Sequence, residues 1–303
     1  MASQKQPILK KIRNGVTVGS VITGSTFFHG PPVLALGLTK LIKKSKKVDE
    51  ANIGITNSWL SVNNWLIDHV LPNLKWHITV DDDLDLSMQG RYLMTCNHQS
   101  WVDTTVNQYF GLTRMPLTRF FTKWELIFIP FVGQAFKILG FPMMKRHSKQ
   151  QIAKNPELKH RDMEEARKSC EQLLSQPFTL LNYLEGTRFS PEKHAQQNSP
   201  YVNLLKPKAG GLALALSILE NEIDALVDMT IVYPDGAPDY GDFWLGEVSQ
   251  IAVNLRKIEI PTWVHGGNYE DDAEYRARFQ KWVDDLWTEK DQLISQMKQQ
   301  YMA

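Results

Sequence analysis

The sequence predicts an α/β fold: a central, mostly parallel or mixed sheet flanked by helices, preceded by an N-terminal membrane-associated helical hairpin. Three observations carry this. Short apolar runs of strand length alternate with segments whose apolar residues recur at helical spacing. Two of these runs, residues 92–96 and 178–184, lead directly into charged loops. Ligands of open α/β sheets bind at such strand ends. Finally, residues 1–48 contain nine Lys and Arg and no acid, which leaves 25 bases against 33 acids in the rest of the chain. A basic apolar segment is thus joined to a mildly acidic body, a division that points to an anionic surface as partner.

The chain has 303 residues, 43% hydrophobic and 22% charged, which excludes a disordered chain. The two cysteines, Cys96 and Cys170, form no metal or disulfide spacing and fit a reducing compartment. Cys96, two residues before His98, reads as a small packing residue rather than a nucleophile. Residues 15–38 are apolar but broken by Gly30-Pro31-Pro32 and flanked by lysines. A hairpin dipping into one leaflet, with Pro31 and Pro32 at its tip, keeps both basic flanks on the cytoplasmic side. Each flanking lysine then adds roughly 1 kcal/mol at an anionic membrane.

The remaining elements follow in order. Residues 57–71 carry Trp59, Leu60, Val62, Trp65, Leu66 and Val70 at helical spacing. Residues 76–80 read as a first strand, closed by Asp81-Asp82-Asp83. Residues 123–139 read as a helix broken at Pro130 and Gly133. Asn155-Pro156 precedes a helix with Met163, Ala166, Cys170 and Leu173 on one face. Residues 212–219 form a helix entered through Gly210-Gly211, and residues 225–233 a strand ended by Pro234-Asp235-Gly236. Residues 248–255 and 258–264 read as two later strands. The chain ends in a long amphipathic helix carrying Phe279, Trp282, Val283, Leu286, Trp287, Ile294 and Met297. The organisation is therefore a basic N-terminal helical segment (1–72), one α/β domain (73–268) and a C-terminal amphipathic helix (269–303).

The loop after residues 92–96 reads Asn97-His98-Gln99-Ser100-Trp101-Val102-Asp103. Five helical steps would turn His98 and Asp103 about 140° apart, so they meet only across a strand end, a turn and a helix start. An imidazole with a carboxylate on one ring nitrogen is a general base with an orienter. The loop after 178–184 reads Glu185-Gly186-Thr187-Arg188. Its glycine allows close backbone approach, and its arginine offers a planar fork for phosphate. Ser100 lacks the Gly-x-Ser-x-Gly setting of a serine hydrolase. His98, Asp103 and Glu185 lack the second histidine a metal site would call for, so no metal is expected.

On these residues the chain resembles the glycerolipid acyltransferase family, whose best-known member is lysophosphatidic acid acyltransferase. The family's His-x4-Asp is matched by His98 and Asp103, and its Glu-Gly-Thr-Arg by residues 185–188. Its Gly-x-x-Phe-x-x-Arg is matched by residues 140–146, with Met143 in place of the aromatic. Its strand ending at proline is matched by residues 227–234, in a form similar to the lysocardiolipin and lysophosphatidylinositol acyltransferase branch. Tyr183-Leu184 replace the usual Phe-Pro. The resemblance covers roughly residues 75–240. It implies a membrane enzyme of phospholipid biosynthesis, facing the cytoplasm at a bacterial inner membrane or the endoplasmic reticulum. That enzyme would move a fatty acyl chain from acyl-CoA or acyl carrier protein to the hydroxyl of a lysophospholipid such as lysophosphatidic acid. No bound cofactor and no nucleic acid are implied. His98 and Asp103 would be catalytic. Arg146, Glu185, Gly186, Thr187 and Arg188, with Lys206 and Lys208, would hold the acceptor, and oxyanion donors are expected among backbone N–H groups after His98. The competing readings are an acyl-thioesterase and a non-catalytic lipid-binding protein.

Overall fold

The computed structural model describes residues 7–42, 45–144, 154–155, 157–219 and 221–301. The chain begins with α1 (Ile8–Ile42) and α2 (Lys46–Val70), followed by β1 (Lys75–Val80), β2 (Arg91–Cys96), α3 (Val102–Gly111), β3 (Thr118–Phe120) and β4 (Thr122–Lys123). A 3₁₀ turn at Trp124–Phe128 leads to α4 (Val132–Ile138), β5 (Met143–Met144), α5 (Glu157–Leu173), β6 (Phe178–Tyr183) and α6 (Pro191–Gln197). Next come α7 (Gly210–Leu219), β7 (Ala225–Val232), α8 (Tyr240–Leu245), β8 (Gln250–Ile258) and α9 (Ala273–Tyr301).

Six strands make one mixed sheet in the order β1-β8-β7-β2-β6-β3. β7, β2, β6 and β3 run parallel to one another, so their carboxyl ends share one edge. β8 is antiparallel to β7 and parallel to β1. β7 is buried along nearly all its length, as a central strand covered on both faces must be. Alternation in β2 sends Tyr92, Met94 and Cys96 to the face covered by α2, α3 and α8, and Leu93 to the face covered by α5, α7 and α9. The sheet therefore lies between two helical layers. This agrees with the predicted fold class.

α9 brings a charge into this core. Lys290 is fully buried, and its Nζ donates to Asp228 Oδ1 at 2.7 Å, Met229 O at 2.8 Å and Thr230 Oγ1 at 3.1 Å. Asp228 also accepts from Thr95 Oγ1 at 2.7 Å and Arg256 Nε at 3.1 Å. Burial alone would raise the Asp228 carboxyl, but Lys290 and Arg256 outweigh it and hold its pKa below the usual value.

Two expectations are corrected. The N-terminal hairpin does not turn at Pro31 and Pro32. α1 runs through both prolines as one 35-residue helix, and α2 packs against it. Prolines inside a helix cost backbone hydrogen bonds, and here close packing holds the helix together. A Cβ on Gly37 would come within 2.4 Å of Ile138, and one on Gly30 within 2.7 Å of Phe131, so the glycines let α4 press against α1. Residues 258–264 form no second strand, because β8 continues to Ile258 and Pro261, which lacks an N–H, opens a 3₁₀ turn at Thr262–Val264. Residues 123–139 are broken as expected, with Phe131 in the left-handed region at φ 63°. β3, β4, β5, α6 and α8 were not anticipated.

Replacing Lys290 by Met is expected to lower unfolding free energy by about 3 kcal/mol, because it leaves a buried carboxylate with Arg256 as its one remaining cation. A urea midpoint equal to that of the unaltered protein would contradict this role for the pair.

Candidate active site

β2 ends because Asn97 takes over its pairing. The Asn97 amide donates to Ile231 O at 2.8 Å and accepts from Ile231 N at 2.9 Å, extending the contact with β7 while the main chain peels away. The backbone turns through residues 98–101 into α3, and Asp103 in its first turn points back over that turn. Asp103 Oδ2 accepts from His98 Nδ1 at 2.8 Å, from Gln99 N at 2.7 Å and from Ser100 N at 3.0 Å. Oδ1 accepts from the Tyr233 hydroxyl at 2.6 Å. The carboxylate is fully buried. Its place at a helix N-terminus suits negative charge.

This arrangement sets the imidazole tautomer. With Nδ1–H donating to Asp103, Nε2 carries the lone pair. The ring stacks on Tyr183 at 4.1 Å and an interplanar angle of 20°, and the His98 side chain keeps 14% exposure. A base held at one nitrogen and reachable at the other can take a proton from a hydroxyl or water. Burial pushes the Tyr183 and Tyr233 hydroxyls well above their ordinary pKa, so both act here as neutral groups.

The second loop grips the first. Glu185 is fully buried, its Oε1 accepting from His98 N at 2.7 Å and its Oε2 from Leu205 N at 2.9 Å. Phe189 N donates to His98 O at 2.7 Å, so residues 185–189 hold both backbone polar groups of His98. Burial raises the Glu185 carboxyl to about 8, against the pull of the two backbone N–H donors. Gly186 sits at φ 66° with Lys208 so near that a Cβ would lie 3.0 Å from its Nζ. Arg188 stacks its guanidinium over the Trp101 indole at 4.5 Å. Thr187 Oγ1 accepts from Lys193 Nζ at 2.9 Å.

The structure thus brings His98, Asp103, Glu185, Gly186, Thr187 and Arg188 together. Glu185 has a different position from the expected acceptor contact, because both its oxygens are spent on backbone N–H groups inside the fold. Lys206 is exposed, and its N–H donates to Gln197. Arg146 lies outside the described residues. Four of the expected oxyanion donors are already committed: Gln99 and Ser100 N–H to Asp103, Val102 N–H to Ser100 Oγ, and Asp103 N–H to Ser100 O. Ser100 Oγ donates to Pro238 O at 2.5 Å, and the Cys96 thiol is buried with its pKa raised well above the ordinary value by burial. Among the described residues no group of His, Cys, Asp or Glu is placed to hold a metal ion. Sequence reasoning missed Tyr233 as an Asp103 donor, although its place at the end of β7 puts it on the same sheet edge.

Two cavities flank the start of α3. One, of about 370 Å³, is mainly apolar and lies under the N-terminal hairpin, with Thr105, Met115, Leu117, Phe120, Phe141 and Tyr240 in its wall. The other, of about 730 Å³, is more polar and lies beside the turn after β2, walled by Gln99, Trp101, Arg188, Lys193, Asn203 and Tyr240 among others. Tyr240 touches both.

A family model described as Acyltransferase matches residues 77–234, just over half of the chain. The chain belongs to the acyltransferase family. A curated relative, the 2-acyl-1-lysophosphatidylinositol acyltransferase of Saccharomyces cerevisiae, is 27% identical over 128 residues, covering 39% of this chain. The match spans only 32% of that relative's length. The crystal structure of the 1-acyl-sn-glycerophosphate (LPA) acyltransferase PlsC of Thermotoga maritima superposes with a TM-score of 0.51 at 15% identity. It covers 94% of this chain and 98% of that one, a likeness of fold.

Glu185→Gln sets an NH₂ group against one of the two backbone donors, and the expected loss is about 1–3 kcal/mol of stability. It should also change the pH response. A carboxyl raised in the folded state from 4.5 to about 8 contributes stability that is full below pH 4.5 and lost as pH rises through 8. Urea titrations at pH 5, 7 and 9 should show this loss in the unaltered protein and a flatter response in the variant. Equal pH responses would contradict the assignment.

Proposed function

We propose that this acyltransferase moves a fatty acyl chain from an acyl thioester, carried by coenzyme A or acyl carrier protein, to the free hydroxyl of a lysophospholipid. Lysophosphatidic acid or a related lysophospholipid is the acceptor. The observation that carries the reading is the 2.8 Å contact between His98 Nδ1 and the buried Asp103 carboxylate, which leaves Nε2 as the base. As the acceptor oxygen attacks the thioester carbonyl, its proton passes to His98 Nε2. Asp103 stabilises the imidazolium that forms. The tetrahedral adduct collapses with loss of the C–S bond, and the thiolate leaves as thiol with that proton. The new C–O bond is the ester, and no acyl-enzyme is required. Arg188, backed by Trp101, holds the acceptor's phosphate at the polar cleft. The apolar cavity beside α3 has the size and lining for acyl chain.

The same reading places the protein on a membrane. α1 is long and apolar enough to cross one by length and composition. Its inner face, however, is tied to the α/β domain: Lys11 pairs with Glu247 at 2.6 Å, and Asn14 donates to Leu245 O at 3.3 Å. Its other face exposes Ile8, Leu9, Ile12, Val16, Phe27 and Phe28, with Phe128 and Ile129 also exposed nearby in the chain that precedes α4. A helix packed on one side and apolar on the other lies in one leaflet rather than across it. The basic residues of the N-terminal segment favour the cytoplasmic leaflet.

His98→Ala should reduce acyl transfer by about 10²–10⁴-fold with folding unchanged. The assay is thiol release from oleoyl-coenzyme A with and without added lysophosphatidic acid or lysophosphatidylinositol. Release that depends on acceptor and on His98 supports the reading. Release without acceptor would make the protein a thioesterase, and no release would make it a lipid-binding protein. Separately, the double variant Ile12→Asp/Phe28→Asp should leave the membrane pellet for the soluble fraction on sedimentation with anionic vesicles, at an unchanged melting temperature. Retention on vesicles by this variant would refute the one-leaflet placement.

A further inference from the structure

The polar cleft beside His98 has cations that the acyl-transfer chemistry alone does not use. Its volume of about 730 Å³ suits a whole small molecule more than a single oxyanion. Besides Arg188, its wall includes Lys193 from α6 and Lys298 from the last turns of α9. Each lysine is half-buried and is held by neutral oxygens. Lys193 Nζ donates to Thr187 Oγ1 and to Arg188 O, both at 2.9 Å. Lys298 Nζ donates to Asn203 Oδ1 at 2.6 Å. Among the described residues neither forms a salt bridge, and Asp239, the one carboxylate on the wall, is exposed. The cleft therefore gathers three cations against a single acid.

Lys298 is also fixed in place. Asn203 Nδ2 is spent on Asp291 Oδ1 at 3.1 Å and Ser295 Oγ at 2.9 Å, which turns Oδ1 toward Lys298. Val202 N and Asn203 N donate to the two Asp291 oxygens at 2.9 and 2.7 Å, stapling the loop to α9. Ile294 and Met297 are buried in the core, so α9 cannot swing the lysine away. Burial lowers the Lys298 pKa, with Asp291 opposing that shift. A half-desolvated ammonium held only by an amide oxygen gains most from an incoming anion.

We propose that Lys298, with Lys193, forms a second anion subsite of the cleft, so that it takes a ligand bearing phosphate beyond the group held by Arg188. Naming that ligand rests on the acyl-transfer reading. Under it, the phosphate belongs either to the acceptor's head group or to the phosphorylated carrier of the acyl thioester. In both cases Lys298 acts on binding and not on the bond being made.

The test uses the full chain with Lys298→Met, which keeps the stem, and Lys298→Arg, which keeps the charge. Titration calorimetry with inorganic pyrophosphate should show about 10-fold weaker binding for the methionine variant and recovery in the arginine variant, the range expected for one charge-assisted hydrogen bond. Unchanged affinity in the methionine variant, or no pyrophosphate binding to the unaltered protein, would overturn the subsite. Kinetics then identify the source. A KM raised about 10-fold at constant kcat for lysocardiolipin, which bears two phosphates, and not for lysophosphatidylinositol, which bears one, assigns the acceptor. A similar rise for oleoyl-coenzyme A, absent with the phosphate-free oleoyl-N-acetylcysteamine, assigns the donor. A change in kcat alone contradicts both. Should the unaltered protein turn over no thioester, the acyl-transfer reading falls while the pyrophosphate result stands by itself.

Discussion

A buried carboxylate without a permanent cation is the constraint on which the site depends. Asp103 is sealed from solvent, and its charge is balanced by four donors: His98 Nδ1, the Gln99 and Ser100 N–H groups and the Tyr233 hydroxyl. Losing any of them leaves part of an anion uncompensated in the interior, which costs more than an ordinary surface hydrogen bond. The turn after β2, the first turn of α3 and the end of β7 are therefore locked together by one side chain. The same donors that stabilise the carboxylate fix the orientation of the imidazole.

The rest of the fold maintains this lock. Glu185 ties the backbone of His98 to residues 185–189 and, through Leu205, to the loop that α9 clamps. Deeper in the sheet, Lys290 and Asp228 fasten α9 to β7. α3 separates an apolar cavity from a polar cleft, with the turn after β2 between them and Tyr240 on both walls. That partition matches the chemistry of a lipid substrate, apolar at one end and anionic at the other.

Much of the site was legible because its residues are contiguous. His98 and Asp103 lie five positions apart, and residues 185–188 form one loop, so each group carried a local signature beside a buried strand. The sheet was readable for a similar reason, since β2, β6 and β7 are continuous apolar runs. Residues that act across long separations left no such trace. Tyr233 is 130 positions from Asp103, and Lys298 stands on a helix whose pattern announces only its buried face. The prolines of α1 misled the reading because a break is their local effect, whereas Gly30 and Gly37 allow tertiary packing to override it. β3 to β5 are two or three residues long, too short to show a period.

Nitrogen-15 NMR of the His98 ring tests the central claim most directly. The expected result is a tautomer with the proton on Nδ1 and Nε2 bare, a preference that Asp103→Asn disturbs. A ring protonated on Nε2, or one whose tautomer is indifferent to Asp103→Asn, would contradict it.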